Sequence, residues 1–173
     1  MIHDETHLQA FAALQDLRVA SEAAERPMPG LSASRIIAHA RRNNSTADLQ
    51  VERALRASPA ARQLYAVALG RIVRASSLSV AAAADQVTER RVGTWRLEIV
   101  QETDGMAWLV IHALDQGPVV TMIELRRPDG SGRRLHLGTP IDQVFQLPLD
   151  PEFAELAGLI AWLQDPATEI YLI

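Results

Sequence analysis

A chain of 173 residues, 48% hydrophobic and 22% charged, is apolar enough to bury a core, and its net charge of −4 is too small for a disordered polyelectrolyte. It contains no cysteine, which excludes disulfides, thiolate zinc sites and cysteine nucleophiles together. All 17 basic residues are arginine, and residues 1–34, 35–74 and 75–173 carry net charges of −3, +6 and −7, so a basic block stands between acidic flanks. Such a block can meet nucleic acid, an acidic protein surface or the chain's own acidic half.

The N-terminus, MIHDETHLQAF, lacks the basic start and apolar core of a signal peptide, and the expectation is a cytoplasmic protein. His3 and His7 have the i, i+4 spacing of a zinc pair, but without the HExxH order or a third ligand they read as solvated residues. Leu8, Phe11, Ala12, Leu14 and Leu17 fall near helical spacing until Arg26-Pro27-Met28-Pro29-Gly30 stops them. A second helix is predicted from a Ser32 or Ser34 cap through Ile36, Ile37 and Ala40 to Arg42-Asn43-Asn44. A third is predicted from Ser45, where Asp48 at the third helical position resembles a capping box, with Val51, Ala54 and Leu55 as its stripe.

Ser58 is a good N-cap and Pro59 suits the first position of a fourth helix, which puts Tyr65, Ala68, Leu69 and Ile72 on one face. The most apolar stretch here, 64–84, contains Arg71 and Arg74, each costing about 2.5–3.5 kcal/mol near a bilayer centre, so no transmembrane helix is expected. Residues 75–91 are small and weakly patterned, and either extend the helix or form an exposed linker.

From Val92 the period becomes two. RVGTWRLEIVQE alternates as a half-buried strand, and Asp104-Gly105 signals a tight hairpin into MAWLVIHAL, apolar on both faces and so expected to be central and covered on both sides. Turns at 116–118 and 128–132 lead into VVTMIELRR and RRLHLG, completing a four-strand antiparallel meander. VFQLPL is predicted as an edge strand because of Pro148. A last helix, PEFAELAGLIAWLQ, is predicted with Phe153, Leu156, Ala157, Ile160 and Leu163 on one side, and EIYLI then pairs into the sheet.

No nucleophile elbow, P-loop or dinucleotide fingerprint occurs, and His112 and His136 read as packed or surface histidines. Glu98, Glu102 and Glu124 alternate with arginines and suggest cross-strand charge pairs on polar faces. Arg126, Arg127, Arg133 and Arg134 flank the glycine-rich Pro128-Asp129-Gly130-Ser131-Gly132, which reads as a hairpin tip with solvated arginines or as a phosphate cradle. A DNA-reading turn at Ser58 needs polar side chains at the start of the second helix, and Pro59-Ala60-Ala61-Arg62-Gln63 offers little beyond Arg62 and Gln63.

The run DLQVERALRASPAARQLYAVALGRI resembles the N-terminal segment of zinc-binding anti-sigma factors at Val51, Glu52, Leu55, Ser58, Pro59, Arg62 and Leu69, over about 25 residues. The metal ligands of that family are absent, so the resemblance implies a zinc-free version. It also implies a cytoplasmic regulator that grips a partner through amphipathic helices.

The expected fold is α+β: a helical interaction region over 1–75, a linker over 76–91, and an antiparallel β-rich domain with a late helix over 92–173. The expected function is a noncatalytic, anti-sigma-like regulator or adaptor. Leu55, Arg62, Leu64, Tyr65, Leu69 and Ile72 would face a protein partner, such as a sigma factor or a protease. One alternative is a DNA- or RNA-binding regulator using Arg53, Arg56, Arg62, Arg71 and Arg74; another is an accessory protein or substrate of a protease, cut within 75–91. No cofactor, metal or membrane partner is expected.

Overall fold

The structure, a computed structural model, describes residues 31–42, 47–77, 88–102, 106–116, 119–150, 152–153, 156 and 158–173. The His3/His7 pair, the helix expected over Leu8–Leu17 and Ser45 lie outside them. The fold is α+β, with helices first, then two antiparallel four-stranded sheets and one late helix. By its contacts the chain divides into a helical unit ending at Ile72 and a β unit from Val73 to Ile173.

The helical unit is α1 (Ala33–Ala40), α2 (Leu49–Ala57) and α3 (Pro59–Gly70), and a side chain caps the N-terminus of each. Ser32 accepts from the Arg35 N–H, and Ser58 accepts from the Ala61 N–H at 3.3 Å with Pro59 in the first turn. The start expected for α2 is corrected: Asp48 is itself the cap, its carboxylate accepting from the N–H groups of Gln50 and Val51. A carboxylate there meets both the orphan donors and the positive end of the helix dipole. Ile36, Ala40, Val51, Leu55, Ala61, Leu64, Tyr65, Ala68 and Leu69 are buried, as α1 and α2 both pack on α3.

The β unit begins earlier than the expected linker allows, since β1 (Ala75–Ser77) and β2 (Glu89–Val92) are already strands. Segment 78–87 lies outside the described residues. RVGTWRLEIVQE is not one strand. Val92 pairs directly with Trp95, making Gly93-Thr94 a two-residue turn between β2 and β3 (Trp95–Gln101). Gly93 has φ +59, as a type II′ turn requires of its first central residue, and a Cβ there would lie 2.9 Å from that of Ala75.

The remaining strands are β4 (Ala107–Ala113), β5 (Met122–Arg126), β6 (Gly132–His136), β7 (Val144–Pro148) and β8 (Glu169–Leu172), with α4 (Leu159–Gln164) before β8. The sheets run β2-β3-β4-β7 and β1-β8-β5-β6. The expected meander is therefore divided: β2, β3 and β4 form one, and the chain then changes sheet to build the β5–β6 hairpin. Pro148 does keep β7 at an edge, and the closing EIYLI supplies β8, hydrogen-bonded on both sides by β1 and β5.

One contiguous core joins the sheets, with Leu97, Leu109, Ile111 and Phe145 from the first, Ile123, Leu125, Ile170 and Leu172 from the second, and Leu159 and Leu163 from α4. Each such side chain contributes about 1.5–3 kcal/mol on burial. β4 is central as expected, but among the described residues that core fully buries only one of its two faces. Ala107, Leu109 and Ile111 are buried while Trp108, Val110 and His112 are half-buried. The late helix is shorter than expected, because Gly158 takes a left-handed φ of +72 at its N-cap and single turns precede it. Phe153, assigned to its apolar side, is 61% exposed. Among the described residues no helix is long and apolar enough to cross a membrane.

Candidate interaction surfaces

Charge inside the helical unit is organised by its two described carboxylates. Arg35 grips Asp48 with two guanidinium nitrogens, Nε to Oδ2 at 2.8 Å and Nη2 to Oδ1 at 3.1 Å, and gives a further bond to the Gln50 side chain. The Arg35 guanidinium, with help from the capping N–H groups, holds the Asp48 carboxyl below the usual carboxylate value against an opposing desolvation. Glu52 meets His39, whose Nε2 lies 3.0 Å from Oε1, and the His39 ring tilts against Tyr65 with centroids 5.8 Å apart. One buried contact thus ties α1, α2 and α3 together.

The residues expected to face a partner are mostly internal. Leu55 is 1% exposed and Leu69 0%, Leu64 and Tyr65 are also buried, and Ile72 is half-buried just past α3. The Arg62 Nη1 turns back to the Leu55 carbonyl at 2.9 Å and the Arg56 carbonyl at 3.3 Å, closing the C-terminus of α2. These six side chains therefore do not form an outward patch.

The alternative basic set is divided. Arg53, Arg56 and Arg71 are exposed on the helical unit, whereas Arg74 belongs to the β unit, its N–H bonded to the Leu172 carbonyl at 2.8 Å. Arg41 is exposed as well, and among the described residues none of Arg41, Arg53, Arg56 and Arg71 makes an ion pair.

In the β unit, the arginines around the glycine-rich turn are engaged by neighbouring side chains: Arg126 is buried, and Arg127, Arg133 and Arg134 are half-buried. The strand period sends Arg126 and Arg134 to one face, where Arg126 Nε donates to Glu124 Oε1 at 2.6 Å and Arg134 Nε to Oε2 at 2.9 Å. Glu124 is 0% exposed, which corrects its assignment to a polar face. Tyr171, opposite Glu124 on β8, donates to Glu169 at 2.6 Å; burial, then that carboxylate, pushes its phenol above the usual tyrosine value. Arg127 and Arg133 go to the other face, with guanidinium carbons 4.4 and 5.2 Å from the Trp162 ring centroid.

Arg90, also buried, donates to the Asp165 carbonyl at 3.3 Å beside a cavity of about 10 Å³, enough for one water at most. Burial draws its guanidinium below the ordinary arginine value and the Asp165 charge opposes this. Glu98 pairs with Arg96 on its own strand at 3.2 Å and with His112 across at 3.6 Å, while Glu102 and His136 are exposed.

Sequence reasoning expected the cross-strand charge pair of Glu124, which Arg134 supplies, but missed its burial, and it missed His39. The signal for Glu124 was present in Met-Ile-Glu-Leu, a strand apolar on both sides of the glutamate, where a charge has to carry its own counter-ions. Compared with family profiles, with curated proteins and with solved structures, the chain matches none.

Proposed function

We propose that the protein is a noncatalytic interaction regulator, anti-sigma-like or adaptor in kind, whose helical unit engages an acidic surface on a larger protein through outward arginines. The observation that supports this is the internal use of both carboxylates of the described helical unit, Asp48 and Glu52, while Arg41, Arg53, Arg56 and Arg71 are exposed and make no ion pair among the described residues. With the apolar face spent on the unit's own core, recognition falls to charge. Charge accelerates encounter and selects partners more than it adds affinity.

The same geometry favours protein over base-specific DNA reading. A single residue, Ser58, joins α2 to α3 where DNA-binding helix pairs use three or four, and Arg62 is bonded to α2 carbonyls instead of reaching outward.

The test is a cross-linked capture from the native host with the wild-type protein and with Arg53→Glu/Arg56→Glu. A protein retained by the first and lost by the second, with the melting temperature unchanged, supports the reading. A mobility shift of duplex DNA that weakens steeply with salt replaces it by the nucleic-acid alternative.

A further inference from the structure

Register fixes the outer face of the sheet β2-β3-β4-β7. Residues directly opposite one another share a face, so Glu89, Glu98, Val110 and Gln146 form one row across the four strands, and Arg91, Arg96, His112 and Val144 form the next. None of these side chains is buried, while Leu97, Leu109 and Ile111, which alternate with them, belong to the core. On the β2–β3 half of the face, an acidic row of two glutamates therefore stands beside a basic row of two arginines.

Within one molecule this arrangement is unfavourable. Glu89 lies opposite Glu98 and Arg91 opposite Arg96, and like charges in directly opposed positions repel. Glu98 is relieved by Arg96 along its own strand at 3.2 Å, and by His112 at 3.6 Å when that ring is protonated. Glu89 and Arg91, both exposed on β2 at the edge of the sheet, make no ion pair among the described residues.

An acidic row beside a basic row is complementary to itself turned over. We infer that this face is the contact between two copies of the chain, packed sheet against sheet about a two-fold axis that runs across the strands between the two rows. Rotation about that axis reverses the order of the rows, so Glu89 meets Arg91 of the second copy and Glu98 meets Arg96 of the second copy, each pair formed twice. An axis along the strands would stack acid on acid and is excluded by the same charges. Packed sheets lie about 10 Å apart, a gap that glutamate and arginine side chains bridge together. Val110 and Val144, half-buried in the same two rows, add apolar area beside the charges. Two rows of side chains make a small contact, which belongs to the weak, reversible class. The face lies wholly in the β unit, so the inference stands apart from the arginines of the helical unit and from any outside partner.

Sedimentation velocity of the full chain over roughly 10 µM to 1 mM tests this. The expected result is a weight-average mass that climbs from 19.0 kDa toward twice that value without passing it, and falls back in about 0.5 M salt, as a contact between opposite charges requires. Glu89→Arg leaves two arginines and Arg91→Glu two glutamates where the copies meet, so each variant alone should stay monomeric. An equimolar mixture of the two should regain the dimer, because every pair across the axis is then of opposite charge. Both variants remain net negative, starting from −4, so bulk attraction does not account for the regain. Neither side chain is buried, and each reversal replaces a like cross-strand pair by an opposite one, so thermal melts by circular dichroism should show no loss of stability. A constant monomer mass, growth past the dimer, a rise that survives either single reversal, or a mixture of the two variants that stays monomeric would each overturn the inference.

Discussion

Glu124 shows what a single charge can demand of a fold. A fully buried carboxylate between two guanidinium groups is tolerable because Arg126 and Arg134 occupy both oxygens. Removing its charge strands two cations in low dielectric, so Glu124→Gln is expected to lower stability by about 3–5 kcal/mol, read from urea unfolding. A much smaller loss would mean that the arginines find solvent.

Two further residues set pH limits. The Asp48 carboxyl has a lowered folded value, so its contribution is full above its unfolded value of about 4 and is lost as pH falls through the folded one. Asp48→Asn should accordingly flatten the acid limb of a stability-against-pH curve while keeping the cap. Tyr171 is the opposite case. Its raised folded value gives stability that is present below about pH 10 and lost as pH rises through the folded value. In a Tyr65→Phe background the remaining phenol is expected to ionise, by ultraviolet absorbance, only with unfolding; titration near pH 10 in a folded protein would contradict this.

At the scale of elements, capping and turn chemistry account for where segments begin and end. Ser58→Ala should cost about 1 kcal/mol by removing the acceptor for the Ala61 N–H, measured by thermal unfolding. The Ser58 cap and the Pro59 start were legible in the sequence, and Ser32 was one of two caps it offered for α1, because caps are decided within one turn of chain. The edge position of β7 was legible for a similar reason, since Pro148 lacks a donor wherever it sits. The change of sheet between β4 and β5 was not, because strand alternation specifies which residues point inward but not which sheet receives the strand. The short α4 turned on Gly158, which a helical period passes over, and the Gly93 turn was hidden inside an alternation that continues on both sides of it. Among the candidate site residues, the face of Leu55, Leu64, Tyr65 and Leu69 was read correctly as apolar. Whether a neighbour within the unit or a partner would fill it is a tertiary question that periodicity leaves open.

For the whole molecule, the division into units has a spectroscopic signature. Trp95, Trp108 and Trp162 all lie in the β unit, whereas three of the four described helices lie in the helical unit. Each unit buries side chains of its own, so denaturant midpoints from tryptophan fluorescence and from circular dichroism at 222 nm are expected to differ. Coincident midpoints would mean that the two unfold as one cooperative body. Charge follows the same division: residues 73–173 hold eight arginines and fourteen acids, against a net +5 for the described helical residues.

The three residues of β1 change what a cut would accomplish. Ala75, Ser76 and Ser77 follow the helical unit in the chain but are paired with Leu172, Tyr171 and Ile170 of the last strand. Proteolysis anywhere in 78–87 would break the polypeptide downstream of that rung, so the helical fragment would stay moored to the β fragment by a noncovalent strand. Release would then be a second event, the peeling of a three-residue edge strand or its replacement by a competitor. A protease acting there would arm the protein without discharging it.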